Sequence, residues 1–206
     1  QEIAKSLNLT RNAKLFAIAS NTKKKLDQFR KDYNILSENC YSDYQDLLTN
    51  KDVDIVYIAL PNSLHQKWIL KCIEFNKNIL VEKPAFINLG QAKEVFLDPS
   101  LKNIFFGESF MFRYHPQIEI VIDLTKKKKI GKVTSMSSNF GINLTDKKRF
   151  FGLFKKKLDK KKRIFNKELG GGVIFDLGPH TLSMALLIAA LVKNINIENF
   201  EIQNLK

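Results

Sequence analysis

"VDIVYIALPNSLHQKWILKCIEFNKNILVEKP", residues 53–84, holds two apolar runs, Val53–Leu60 and Ile79–Val81, on either side of a segment with a different period. In that segment Leu64, Trp68, Cys72 and Phe75 recur at helical spacing, and Asn62 or Ser63 can supply the capping oxygen at its start. Strand, helix and strand in about 30 residues form a crossover unit whose two strands run parallel. The first run is continuous enough to predict a strand buried on both faces. The second ends in Glu82, Lys83 and Pro84, two opposite charges and a ring-locked φ where a neutral turn would serve.

The same alternation extends in both directions. Toward the N-terminus, "KLFAIAS" (14–20) reads as a strand, and the segment after it carries Leu26, Phe29 and Tyr33 at helical spacing. "SDYQDLLTN" (42–50) reads as a short helix with Ser42 as its N-cap candidate. Toward the C-terminus, "NLGQAKEVFLD" (88–98) is helical and "NIFFGESF" (103–110) is a further strand. Strands and helices alternating at this pitch predict an α/β fold with a doubly wound parallel sheet. Near Arg113 the pattern changes. "HPQIEIVIDLTKKKK" (115–129) predicts a helix opened by Pro116, and "GKVTSMSSNFGINL" (131–144) alternates like a strand of an exposed sheet. "DLGPHTLSMALLIAALV" (176–192) predicts one apolar helix, and "NINIENFEIQNL" (194–205) has strand-like alternation. Two domains are therefore expected, residues 1–113 and an α+β domain over 114–206 with an open, mainly antiparallel sheet.

At 206 residues and 44% hydrophobic content the chain can bury one good core or two modest ones. Cys40 and Cys72 make no disulfide or metal-ligand pattern, so no metal is expected; Cys72 reads as a core thiol and the setting as reducing and cytoplasmic. The longest apolar stretch, Leu182–Val192, falls short of the roughly 20 residues needed to cross a bilayer. The net charge of +13 and the runs Lys126–Lys129, Lys155–Lys157 and Lys160–Arg163 invite a nucleic-acid reading. Lysine far outnumbers arginine, however, and the runs are mostly not interleaved with aromatics, which fits solvated faces better than base recognition.

In parallel α/β sheets, ligands bind outside the carboxyl ends of the strands. Three strands here end in chemistry rather than in generic turns: at Ser20 and Asn21, at Pro61, Asn62 and His65, and at Glu82 to Pro84, with Leu60 entering the second of these ends on the ligand side. A single such ending would be an ordinary turn, but three in series point to a site.

Residues 53–84 together with "LGGGVIFDLGPH" (169–180) resemble the Gfo/Idh/MocA family of nicotinamide-dependent oxidoreductases. "ESFMFRYHPQ" (108–117) and "KELGGG" (167–172) are most similar to its trans-dihydrodiol dehydrogenase and glucose-fructose oxidoreductase branch. The resemblance implies a Rossmann domain binding NADP or NAD, a second domain shaping the substrate pocket, and pairing of open sheets into homodimers. The implied reaction is hydride transfer between the nicotinamide and a sugar, cyclitol or related cyclic alcohol. It further implies that Lys83 contacts the reacting hydroxyl and the nicotinamide ribose, that Asp176 orients substrate, and that His180 exchanges the proton. Glu82, His65 and Arg113 would lie by the cofactor, and Lys83–Pro84 would be a cis bond.

Elementary chemistry supports these roles. Loss of hydride from an alcohol needs an acceptor for the hydroxyl proton and a cation for the developing alkoxide. His180 titrates near neutrality and Lys83 carries a fixed charge. Asp176 and His180, four apart, share a helix face if the helix begins by Asp176. Gly170 to Gly172 would let backbone and cofactor approach closely. At Ser20, Asn21, Thr22 and Lys23, where an NAD enzyme normally presents a carboxylate to the ribose 2′-hydroxyl, donors replace it, which favours NADP.

The first glycine is Gly90, so the G-x-G-x-x-G phosphate loop is not among these residues. The expectation is a portion of a longer oxidoreductase lacking its first strand, its dinucleotide loop and part of the second sheet. The alternative is a non-catalytic relative acting as a binding or assembly module.

Overall fold

Strand β4 (Asn78–Glu82) lies between β3 (Ile55–Ile58) and β5 (Phe106–Ser109) in a three-stranded sheet of order β3-β4-β5. β3 and β4 run parallel, with Ile55 opposite Asn78 and Ile58 opposite Val81. The computed structural model describes residues 2–7, 9–142, 148–149, 154–155 and 162–192. Their backbone forms two compact units. The first comprises residues up to Ala59 together with His65–Val81 and Asn88–Gly107; the second comprises Leu60–Leu64, Glu82–Ile87 and the residues from Glu108 onward.

In the first unit α1 (Glu2–Leu7) precedes β1 (Ile18–Ala19), α2 (Lys23–Tyr33), β2 (Cys40–Tyr41) and α3 (Tyr44–Thr49). β1 pairs in parallel with β2, a two-residue strand too short to register as a periodic pattern. α2 ends where Asn34 adopts a left-handed φ of 52°, a conformation asparagine tolerates. α3 is capped by Asp43 rather than Ser42: the Asp43 side chain accepts from the Gln45 N–H at 2.6 Å. Asn78 stitches the start of the sheet, donating to the Asp54 carbonyl and accepting from the Phe105 N–H, both at 2.8 Å.

Two expectations about residues 53–84 need correction. β3 is not buried on both faces: Ile55 is 50% exposed and only Ile58 is buried, because β3 is the edge of the described sheet. β4, flanked on both sides, buries Ile79 and Val81 completely. The core stripe of α4 (His65–Glu74) is His65, Ile69, Cys72 and Ile73 rather than one led by Leu64. Residues 62–64 form a 3-10 turn closed by the Leu64 N–H on the Pro61 carbonyl, so Leu64 precedes the helix. Cys72 is a core thiol as expected, its pKa pushed up to about 12 by burial. α5 (Leu89–Phe96) is capped by Asn88, which accepts from the Gln91 N–H.

The second unit contains α6 (Pro116–Lys126), opened by Pro116 with His115 Nδ1 accepting from the Gln117 N–H at 3.2 Å. The two-residue strands β6 (Lys148–Arg149) and β7 (Phe154–Lys155) pair antiparallel. The expected strand over 131–144 is not formed across its described part, 131–142, which is mostly exposed and has no ladder partner among the described residues. The helix expected over 176–192 forms as α8 (Gly178–Leu191), two residues later at its start; Asp176 instead closes a separate short helix, α7 (Val173–Asp176), and the Lys167–Asp176 and Gly178–Leu191 segments meet at a 48° bend. Pro179 is the physical reason: it has no N–H to give the preceding turn, and its ring would meet the carbonyl four residues back. α8 packs on α6. Among the described residues no single helix is long and apolar enough to cross a membrane. The alternating segment 194–205 lies outside the described residues.

Candidate active site

The end of β4 delivers Lys83 into the second unit, where its surroundings come from a stretch 93 residues further on. Lys83 Nζ donates to the main-chain carbonyl of Asp176 and approaches Asp176 Oδ1 at 3.4 Å. Both side chains are about four-fifths buried, at 17% and 19% exposure. The Lys83–Pro84 peptide bond is cis. Asp176 Oδ1 is also held by the Arg163 guanidinium at 3.1 Å, and a second Arg163 nitrogen reaches Asn62 Oδ1 at 3.4 Å. Asn62, 3% exposed, donates in turn to the Gly170 carbonyl at 2.8 Å. Lys83, Asp176, Arg163, Asn62 and Gly170 thus form one connected polar network.

His180 stands in the first turn of α8, half-buried, its ring edge-on to Phe112 at 5.9 Å, Phe110 at 6.2 Å and Phe140 at 5.1 Å. Burial lowers its pKa first and the Lys83 ammonium lowers it further, against smaller upward pulls from Asp176 and Glu82. The imidazole is therefore neutral at pH 7 and able to accept a proton. Since the helix breaks at Leu177, Asp176 and His180 do not share one helix face; both nevertheless lie in the second unit and interact electrostatically.

The glycines do different work from that expected. A Cβ on Gly170 would lie 2.7 Å from Asn62 Cβ, and one on Gly171 would lie 2.1 Å from the Arg163 carbonyl oxygen. Gly170 also has a φ of +68°. These two glycines fold residues 163–171 onto themselves, with the Gly171 N–H on Asn166 and the Gly172 N–H on Ile164. Of the three glycines 170–172, Gly172 alone has open space where a side chain would stand.

Arg113 is engaged with α8: Nε donates to Ser183 Oγ at 3.0 Å and a terminal nitrogen donates to the Ser183 carbonyl at 3.2 Å. Leu60 and Pro61 are half-buried in the loop leading to Asn62. His65 belongs to the first unit and is completely buried, so its side chain presents no surface to a ligand. In the first unit, too, Ser20 follows β1 and its Oγ accepts from the Thr22 N–H at 3.2 Å, while Asn21 and Lys23 are exposed. No carboxylate occurs in residues 20–26.

Two residues of this region escaped sequence reasoning. Arg163 was absorbed into a lysine run read as a solvated face; the signal was that it is the single arginine among those lysines. Glu108 is the other. It accepts from the Ala85 N–H at 3.0 Å, behind the Lys83–Pro84 turn, and burial raises its pKa despite that bond and the nearby Arg113.

Residues 1–97 match the oxidoreductase-family model described as an NAD-binding Rossmann fold, and residues 119–198 match the GFO/IDH/MocA C-terminal domain. The chain belongs to the Gfo/Idh/MocA oxidoreductase family. Family relatives include the trans-1,2-dihydrobenzene-1,2-diol dehydrogenase of Xenopus tropicalis, 29% identical over 172 residues, which are 84% of this chain and 47% of that protein. D-xylose 1-dehydrogenase (NADP(+)) 2 of Haloferax volcanii is 31% identical over 147 residues, 71% of this chain and 41% of the relative. Among solved structures of the family, KijD10, a 3-ketoreductase from Actinomadura kijaniata in complex with TDP-benzene and NADP, matches with TM-score 0.56 and 30% identity over 63% of this chain and 40% of that one. The chain thus spans less than half the length of the relatives it matches.

The residues present fit a nicotinamide dinucleotide at two points. Lys83 has three N–H donors and directs two at Asp176, leaving one uncommitted among the described residues. The turn after β1 offers hydroxyl, amide and ammonium groups with no carboxylate beside them.

Proposed function

We propose that the protein is an NAD(P)-dependent dehydrogenase or reductase acting on a CH–OH group of a sugar, cyclitol or related cyclic alcohol, with NADP preferred over NAD. The observation that carries this reading is the Lys83–Asp176 pair beside a neutral His180. In it a fixed cation, an orienting carboxylate and a proton acceptor gather in one unit from segments far apart in sequence. The nicotinamide, when bound, supplies the hydride acceptor or donor. Lys83 directs its remaining N–H at the substrate oxygen and stabilises negative charge developing there. His180 takes the hydroxyl proton in oxidation and returns it in reduction, which its lowered pKa permits at neutral pH. Asp176 orients the substrate.

In this reading residues 1–113 serve the dinucleotide and residues 114–206 the substrate. Ser20, Asn21 and Lys23 recognise the adenosine ribose and its 2′-phosphate, a preference in keeping with the NADP named for the xylose dehydrogenase and KijD10. Leu60, Pro61, Asn62, Glu82 and Arg113 belong to the cofactor side by family resemblance, Asn62 acting through its hold on Gly170.

The test is to incubate the full-length protein with NADP and a panel of polyols, pentoses and cyclic diols deuterated at the carbinol carbon. Deuterium appearing in NADPH by mass spectrometry is the expected result. No NADPH binding by fluorescence and no label transfer from any member would defeat the proposal.

A further inference from the structure

We propose that Arg163 is a positioning residue that fixes the orientation of Asp176. Resting on the reading of Lys83 and Asp176 given above, the inference adds a residue that neither charge patterning nor the strand ends single out. Arg163 holds Asp176 through Oδ1, the same oxygen that Lys83 approaches. Oδ2 has no hydrogen-bond partner among the described residues. With one oxygen pinned from two sides, rotation of the carboxylate is blocked and Oδ2 is left to accept from a substrate hydroxyl. The rotamer entropy of ordering Asp176 is thereby lost on folding rather than at substrate binding.

Arg163 is itself held. A second guanidinium nitrogen reaches Asn62 Oδ1, and Asn62 is tied to Gly170, so the arginine is anchored at the loop that carries it. The fold of that loop depends on Gly171, whose missing Cβ leaves room for the Arg163 carbonyl. A planar fork suits this bridging task, because two nitrogens at fixed angles meet two acceptors at once; an ammonium has no such geometry.

Two readouts in the full-length protein test the proposal. In thermal denaturation, Arg163→Ala, Asp176→Asn and the double variant form a cycle. The Tm loss caused by Arg163→Ala is expected to shrink in the Asp176→Asn background, and strictly additive losses would overturn the proposal whether or not the protein turns over substrate. In turnover, Arg163→Ala is expected to lower kcat by about 10²-fold while cofactor affinity changes less than about twofold. Added guanidinium at sub-denaturing concentration is expected to restore part of that loss, a rescue that a purely structural defect would not show. Arg163→Lys keeps the charge without the fork and is expected to resemble Arg163→Ala, so full activity in the lysine variant would also overturn the proposal. A complete lack of dehydrogenase activity in the unsubstituted protein would remove the proposed function while leaving the Tm cycle to decide the contact.

Discussion

The ends of β1 and β4 solve different problems with polar residues. At β1, Ser20 turns back on its own chain to accept from Thr22 two residues on, and its neighbours Asn21 and Lys23 stand in solvent. At β4, Lys83 is 17% exposed and is paired with a carboxylate 93 residues away, which is itself held by Arg163. A local, solvated turn can present donors to a ligand but cannot fix them closely. A buried network closed by distant segments orients its charges before any ligand arrives, the arrangement that stabilises a developing charge most effectively. On the function proposed above, the first arrangement suits the choice of a ligand and the second suits chemistry.

The sharpest way to break that contrast is Lys83→Met. It is expected to reduce turnover by about 10³-fold with the fold intact, measured by steady-state rates and circular dichroism, since it removes one of the two cations that contact Asp176 among the described residues. Unchanged turnover would place the chemistry elsewhere. Next in size is Gly171→Ala, whose Cβ would meet the Arg163 carbonyl at 2.1 Å. A backbone atom cannot swing aside, so a stability loss of roughly 3 kcal/mol is expected in chemical denaturation. Gly178→Ala, with nothing nearer than Ile174 Cγ2 at 4.0 Å, serves as the mild control.

At the β1 end the expected effect is smaller and selective. Ser20→Asp places a carboxylate where a 2′-phosphate would approach and is expected to weaken NADPH binding by about tenfold, or about 1.4 kcal/mol, relative to NADH by fluorescence titration, leaving kcat little changed. Equal weakening of both cofactors would remove the basis for the NADP preference.

Acid titration probes the β4 end more gently. The pKa of His180 is lowered below 6.5, so alcohol oxidation is expected to hold its rate down to that pH and to fall only below it, as the imidazole gains a proton. Glu82→Gln removes a carboxylate that pulls this pKa upward, so the acid limb of kcat/KM is expected to move to still lower pH. Linkage gives the same sign for stability. Below pH 6.5 the unfolded chain binds a proton that folded His180 refuses, so its contribution to stability is lost as pH falls toward the lowered value. Glu108 acts in the opposite direction. Its raised pKa means that the folded chain keeps a proton the unfolded chain releases above pH 4.5, so stability falls as pH rises through that window. Glu108→Gln, which can still accept from Ala85, is expected to abolish that slope in denaturation curves taken across the window.

Much of this was legible in the chain itself. The parallel pairing of β3 and β4, the start of α6 at Pro116, the core position of Cys72 and the unusual chemistry of the strand ends all follow from local patterns of polarity and turn residues. The break at Leu177 is signalled by Pro179 but masked by the nearly uninterrupted apolar run that follows it. Leu64 drops out of the core stripe because residues 62–64 form a 3-10 turn ahead of the helix, and the observed stripe of His65, Ile69, Cys72 and Ile73 shares only Cys72 with the expected one.

By itself the sequence determined that the runs forming β3 and β4 pair in parallel and which side chains could do chemistry, because hydrophobic period and titration range are properties of residues and their near neighbours. Only the tertiary structure decided which of those side chains meet. Arg163 and Glu108 read as ordinary charges until the fold places one on Asp176 and the other beneath the Lys83–Pro84 turn. Gly170 and Gly171 read as room for a cofactor until the structure fills that room with Asn62 and the Arg163 backbone. The physical reason is that desolvation, charge pairing and close packing act over a few ångströms of space, and the chain separations they bridge here leave no periodic trace in the sequence.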